Sequence, residues 1–133
     1  MPMQQLIYAS RPFGYDTQLL AGILATSRVR NAQSNITGAL ICRPDIFLQL
    51  LEGPIGMVET TFDRICKDDR HTEVQLLTRS KIEDRLFPEW AMKHDPANSW
   101  LWSKDEIDSG ILQRASAREV RSIFLRSANE PEL

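Results

Sequence analysis

Histidine and cysteine are scarce in this chain of 133 residues, with two of each: His71, His94, Cys42 and Cys66. No Cys-x-x-Cys spacing is present, which argues against a zinc site, and a domain of this length needs no disulfide framework. No apolar run approaches the roughly 20 residues of a membrane helix. The N-terminus, Met1-Pro2-Met3-Gln4, has neither the charged leader nor the apolar stretch of a secretory signal. Basic excess is lacking too: 16 Lys and Arg face 18 Asp and Glu, a net charge of −2, so nothing suggests a general nucleic-acid surface. A glycine-rich phosphate loop is absent, as are Ser/His/Asp and Cys/His arrangements at recognisable spacing, so catalysis finds no support. These absences predict a soluble cytoplasmic domain that holds no metal, is not an enzyme, and meets neither nucleic acid nor membrane.

What is present alternates between strand and helix patterns. Residues 6–10 read as a short strand, followed by a loop with Pro12 and Gly14. Asp16 or Thr17 caps a helix running to about residue 28, with Leu19, Leu20, Ile23, Leu24 and Ser27 on one face. Residues 36–42 and 46–52 are strands joined by a tight turn at Pro44-Asp45. Gly53-Pro54 starts a second helix, to about residue 67, that carries Val58, Phe62, Ile65 and Cys66 inward. After the polar connection Asp68-Asp69-Arg70-His71, residues 74–78 and 86–92 read as two more strands around a charged stretch.

The order β-α-β-β-α-β-β predicts an α+β fold, a ferredoxin-like sandwich with two helices on one face of a mixed sheet. The second and third strands are apolar on both faces, with Phe47 and Leu51 pointing one way, Leu48 and Leu50 the other. A sheet covered on one side alone shows cleaner alternation, so something covers the back. The cover is the tail, 104–133, where Ile107, Ile111, Leu112, Val120, Ile123 and Phe124 recur at helical spacing. Gly110 and Ser116 break it into two short helices, and Trp100 and Trp102 anchor it on the sheet. The expected division is a domain at 1–95 and a C-terminal helical cap at 96–133.

Gln49 is the residue that breaks the pattern. It sits within Phe47-Leu48-Gln49-Leu50-Leu51, and a buried amide without partners costs about 1–3 kcal/mol. Period-two alternation puts it on one face with Phe47 and Leu51, and puts Leu6, Tyr8 and Ser10 on one face of the first strand. If those strands are neighbours, Tyr8 and Gln49 meet beneath the helices. Asn31, just past the expected end of the first helix, adds a third short polar group. Singly, Tyr8 reads as a core-edge tyrosine and Asn31 as a helix C-cap. Together the three suggest a pocket that grips a flat heteroaromatic ring by its edge. Arg64, Asp68, Arg70 and His71 form a group suited to a phosphate or a ribose, or else a solvated charge run, and Arg28 and Arg30 add positive charge near the first helix end.

Taken in order, several stretches resemble the BLUF domain, the sensors of blue light that use FAD. They are Leu6-Ile7-Tyr8-Ala9-Ser10, Arg30-Asn31, Asn35-Ile36-Thr37-Gly38, Phe47-Leu48-Gln49-Leu50-Leu51-Glu52-Gly53, Arg64-Ile65, Asp68-Asp69-Arg70-His71 and Phe87-Pro88-Glu89-Trp90-Ala91-Met92. The resemblance covers about residues 3–95 and implies FAD as cofactor, its ring between the two helices. It implies Tyr8 as electron and proton donor and Gln49 as the amide that rearranges. Asn31 would hold the ring edge with Arg30 beside it, and Ile23, Ser27, Phe47 and Ile65 would line the ring. Arg64, Asp68 and His71 would lie nearer the ribityl-phosphate end. Trp90 and Met92, on the last strand, would relay the change to the C-terminal helices. Some members have two asparagines where this chain has Arg30-Asn31, so one ring contact differs.

The roughly 40 residues after Met92 are too few for a separate catalytic domain. The expected output therefore acts on a separate effector protein, or through self-association by the C-terminal helices and sheet as a homo-oligomer, a dimer or larger. Two rival readings stand beside it. One is an acylphosphatase-like hydrolase using Arg11; the other is a light-independent ferredoxin-like domain that binds a small ligand, a phosphate or a protein.

Overall fold

The computed structural model describes residues 2–12, 17–43, 45–67, 71–95 and 101–129. Asp16, Pro44, Asp68, Asp69, Arg70 and Trp100, and the side chains of Thr17, Leu19 and His71, lie outside the described residues. The centre is a hairpin of the two most apolar segments, β2 (Thr37–Arg43) and β3 (Ile46–Pro54). Arg43 donates to both carboxylate oxygens of Asp45 at its turn, at 2.6 and 2.9 Å. That pairing holds the Asp45 carboxyl below its ordinary range, against a partial desolvation that acts the other way. On the other side of β3 lies β1 (Met3–Pro12), antiparallel, followed by β4 (His71–Ile82), also antiparallel. The short β5 (Lys93–Asp95) adds to β2 in parallel, giving the order β4-β1-β3-β2-β5.

Both faces of this sheet are covered, as the two-sided apolar strands require. On one face Leu6, Tyr8, Leu40, Phe47 and Leu51 pack with Leu20, Ile23 and Leu24 of α1 (Thr17–Gln33) and Val58 of α2 (Ile55–Cys66). On the other, Ile7, Ala9, Ile41, Leu48 and Leu50 pack with Leu101, Ile107, Val120 and Phe124 of the tail, and Trp102 rests against the same cluster. The tail forms three helices rather than two: α3 (Lys104–Asp108), α4 (Ile111–Arg114) and α5 (Ala117–Ala128). Ser103 opens α3 with a reciprocal capping box to Glu106, and Ser116 caps α5 by accepting from the Glu119 N–H. Gly110, at φ 94°, makes the left-handed joint between α3 and α4.

Several elements differ from the sequence expectations. α1 runs through Gln33, so Asn31 is inside its last turns; the helix stops where Asn35 takes a left-handed φ of 57°. β4 is longer than residues 74–78 because β1 offers it a long antiparallel partner. On α2, Thr61 turns inward and Cys66 is exposed. Partial desolvation, with Asp63 beside it, pushes the Cys66 thiol up, which keeps it protonated at neutral pH.

The largest difference is in the last strand. Residues 86–92 are irregular, and Trp90 and Met92 precede β5 instead of lying on it. Pro88 has no N–H for a ladder, and the Phe87 N–H donates to the Glu52 carboxylate at 2.6 Å. Arg85 ties the start of the segment to the Asn35 and Glu52 carbonyls at 2.9 and 3.0 Å. The Gly38 N–H takes the Trp90 carbonyl at 2.9 Å, and sheet pairing begins after that.

Gly38 also shows how tightly β2 and β3 approach. A Cβ built there would overlap the Leu50 carbonyl oxygen and lie 2.9 Å from its carbon, and this backbone belongs to a central strand. We expect Gly38→Ala to cost about 3 kcal/mol and to lower the melting temperature by roughly 10 °C, measured by calorimetry. An unchanged melting temperature would mean that the two strands separate freely at this point.

Candidate functional site

Register brings the two polar residues together. Tyr8 pairs directly with Gln49 across β1 and β3, both on the helix-covered face. Tyr8 is 0% and Gln49 3% exposed. The Tyr8 hydroxyl donates to Oε1 of Gln49, which satisfies the acceptor end of the amide. Its donor end lies 3.4 Å from the Met92 sulfur, a weak acceptor. The amide therefore keeps donor capacity for a better partner in the same space. The Tyr8 ring leans on Phe62 of α2, centroids 5.5 Å apart.

α1 fixes the segment that presents Met92. Asn31, buried, donates to the Ala91 carbonyl at 2.8 Å, and Arg28 donates to the Met92 carbonyl at 3.1 Å. Arg28 had drawn notice in the sequence only as positive charge near a helix end; its contact depends on α1 extending past it. Beyond Met92, His94 reaches Sγ of Cys42, 3.1 Å away.

The remaining expected residues fall into two groups. Ile23 is buried and Phe47 fully so, Ile65 is partly buried against the same cluster, and Ser27 is half-buried on α1. Ile23, Phe47 and Ile65 thus belong to the apolar cluster between the sheet and the two helices. Arg30 and Arg64 are exposed at the helix ends. Asp68 and the His71 side chain fall outside the described residues. Trp90 is only partly buried and packs with the opposite, tail-covered cluster, so of the Trp-x-Met pair it is Met92 that touches Gln49.

A buried amide among apolar side chains of the helix-covered face is chemistry that fits the polar edge of a flavin ring. The donor end of Gln49, held only by a thioether, is free to take a stronger acceptor such as a ring carbonyl. Among the described residues no group of three His, Cys, Asp or Glu converges as a metal site. No helix among them is long and apolar enough to cross a membrane.

Sequence reasoning missed one buried residue that positions this site. Glu52 is 0% exposed on the tail side of β3, and besides the Phe87 N–H it accepts from the Gln5 amide at 3.2 Å. The signal was available: Leu48, Leu50 and Glu52 share a face at period two, which puts a carboxylate at the end of a buried row.

Comparison with known proteins identifies the family. Residues 3–93 match the family model BLUF, sensors of blue-light using FAD. A photoactivated adenylate cyclase subunit beta of Euglena gracilis is 39% identical over 74 residues, 55% of this chain and 9% of that protein. The blue light- and temperature-regulated antirepressor BluF of Escherichia coli strain K12 is 44% identical over 89 residues, 67% of this chain and 22% of that protein. The chain thus spans about a tenth to a fifth of the length of these relatives. The photo-activated state of BlsA superposes with a TM-score of 0.81 at 26% identity, covering 98% of both chains, the tail included.

Proposed function

The chain belongs to the BLUF family, and from that premise we propose that Tyr8 and Gln49 are its photochemical pair and that Met92 reads their state. It is a blue-light photoreceptor that uses FAD. In this reading Asn31 and Gln49 hold the ring edge, with Ile23, Ser27, Phe47 and Ile65 along the ring. Arg30, Arg64, Asp68 and His71 lie toward the phosphates. FAD, when bound, supplies the absorption of blue light and a ring that becomes a strong electron acceptor once excited.

Tyr8 gives up the electron, and its phenolic proton leaves with it, because an uncompensated buried cation radical is very costly. Oε1 of Gln49 accepts the hydrogen bond from that hydroxyl and is the atom placed to receive the proton. The amide then exchanges partners, and its weak tie to the Met92 sulfur is the contact most cheaply given up. The new hydrogen-bond arrangement stabilises the excited state slightly more than the ground state, which reads as a red shift. The electron and the proton both return to Tyr8 as the amide settles in its new arrangement, so no net oxidation remains, and dark recovery is the relaxation of the amide to its first arrangement.

The observation that carries this reading is a buried tyrosine hydroxyl donating to a buried glutamine whose other end has a poor partner. The signal leaves through Met92 and β5 toward the C-terminal helices, and then to a separate effector protein or a second copy of the chain. A relative named as an antirepressor supports an output by protein contact, with no catalysis in the sensor itself.

Tyr8→Phe removes the hydroxyl at a cost of about 1 kcal/mol, too little to unfold the domain. The purified variant is expected to be yellow and to show no red-shifted, dark-reverting state after blue illumination. A normal light-minus-dark spectrum from that variant would remove Tyr8 from the mechanism.

A further inference from the structure

The residue after Met92 is a buried lysine, and it faces the other way. Along the segment 92–94 the side chains alternate: Met92 touches Gln49, His94 touches Cys42, and Lys93 between them points to the tail side. Lys93 is 2% exposed, and a buried ammonium needs acceptors. It donates to the Ser127 carbonyl, in the last turn of α5, and its Nζ lies 6.0 Å from the centre of the Trp90 ring. The last carbonyls of a helix lack intrahelical partners and carry the negative end of its dipole, so they suit a cation.

α5 is held in its middle by different contacts. Phe124 meets Phe87 edge-on at 6.4 Å, and Arg121 donates to Gln5 at 3.1 Å, which in turn donates to Glu52. Neither contact involves β5. That strand is three residues long and, among the described residues, pairs with β2 alone, so it is the least constrained strand of the sheet. A displacement of Met92 therefore moves Lys93 against a helix that is anchored elsewhere.

We infer that Lys93 is the positioning residue that couples the pocket to α5: its bond to the Ser127 carbonyl latches the last turn of the helix in darkness and lets go in light. The inference rests on the reading of Tyr8, Gln49 and Met92 given above. It makes a local claim, because the Lys93 joint yields while the Phe124 seat holds. The last turn frays and the middle of α5 does not.

Hydrogen–deuterium exchange on the full-length, FAD-loaded protein tests this, in darkness and under blue light, with the flavin spectrum recorded on the same samples. In the wild type we expect illumination to speed exchange at residues 125–129 about tenfold, the loss of one charge-assisted hydrogen bond, with residues 120–123 unchanged. Lys93→Met should show the fast exchange already in darkness, with light adding nothing, while its red shift persists. Lys93→Arg, whose guanidinium keeps the donor, should restore the dark protection. A normal red shift in the wild type with no change at 125–129 overturns the latch and leaves the pocket reading standing. The latch also falls if Lys93→Met keeps the wild-type contrast between light and dark. Absence of the red shift in the wild type overturns the pocket reading, and the latch with it. The wild-type contrast decides the matter even if Lys93→Met does not fold.

Discussion

A chain cut after Asp95 aggregates: that is the expected result of removing 96–133. The tail contributes Leu101, Ile107, Val120 and Phe124 to the back cluster, each at most 7% exposed. Burying a side chain of this kind contributes about 1.5–3 kcal/mol, so the four together account for roughly 6–12 kcal/mol. That is as large as the whole stability of a typical domain, about 5–15 kcal/mol. Cutting also uncovers Ile7, Ile41, Leu48 and Leu50, all 0% exposed, as one apolar face of the central strands. A contiguous patch of that kind drives association. Size-exclusion chromatography of the refolded fragment should place it in the void volume. A monodisperse, yellow fragment that still shows the light-induced shift would make the tail a separable appendage. Otherwise the cap is half of the core, and whatever the tail transmits it transmits as part of the fold.

The presence of a second cover was readable in the strands themselves, though not that the domain at 1–95 depends on it to fold. Phe47, Leu48, Leu50 and Leu51 are apolar on both faces, and only a second cover explains such a pattern. The Tyr8–Gln49 pair was readable for the same reason, since period two fixes the face once the strand order is known. What the pattern concealed depends on contacts distant in sequence. Asn31 looked like a cap because Arg28 is a plausible helix end; the helix continues because Asn35, four residues beyond Asn31, is the residue that adopts left-handed φ. Residues 86–92 looked like a strand because Leu86, Phe87, Trp90 and Met92 are apolar, but their backbone bonds go to Glu52, Gly38, Asn31 and Arg28. Lys93 gave no signal alone. Its burial becomes intelligible only once α5 ends on top of it.

Gln49→Leu is the second large effect, and it separates binding from signalling. Leucine has nearly the volume of glutamine, and the site sits among Leu40, Phe47, Leu51 and Met92, so the core accepts it. The variant loses the hydrogen bond from Tyr8, a net cost of about 1 kcal/mol that the added apolar burial partly offsets. It should therefore fold and stay yellow, since Asn31, the apolar cluster and the arginines are untouched. It has no amide to exchange partners. The light-minus-dark difference spectrum should lose the red-shifted state entirely, and the contact with the Met92 sulfur that reads the amide is gone as well. With Tyr8 still present, any electron it gives up returns without leaving a lasting change in the hydrogen-bond network. A reversible red shift of normal amplitude in this variant would show that the lasting change lies outside Gln49, and the route from Gln49 through Met92 to β5 would fail at its first step.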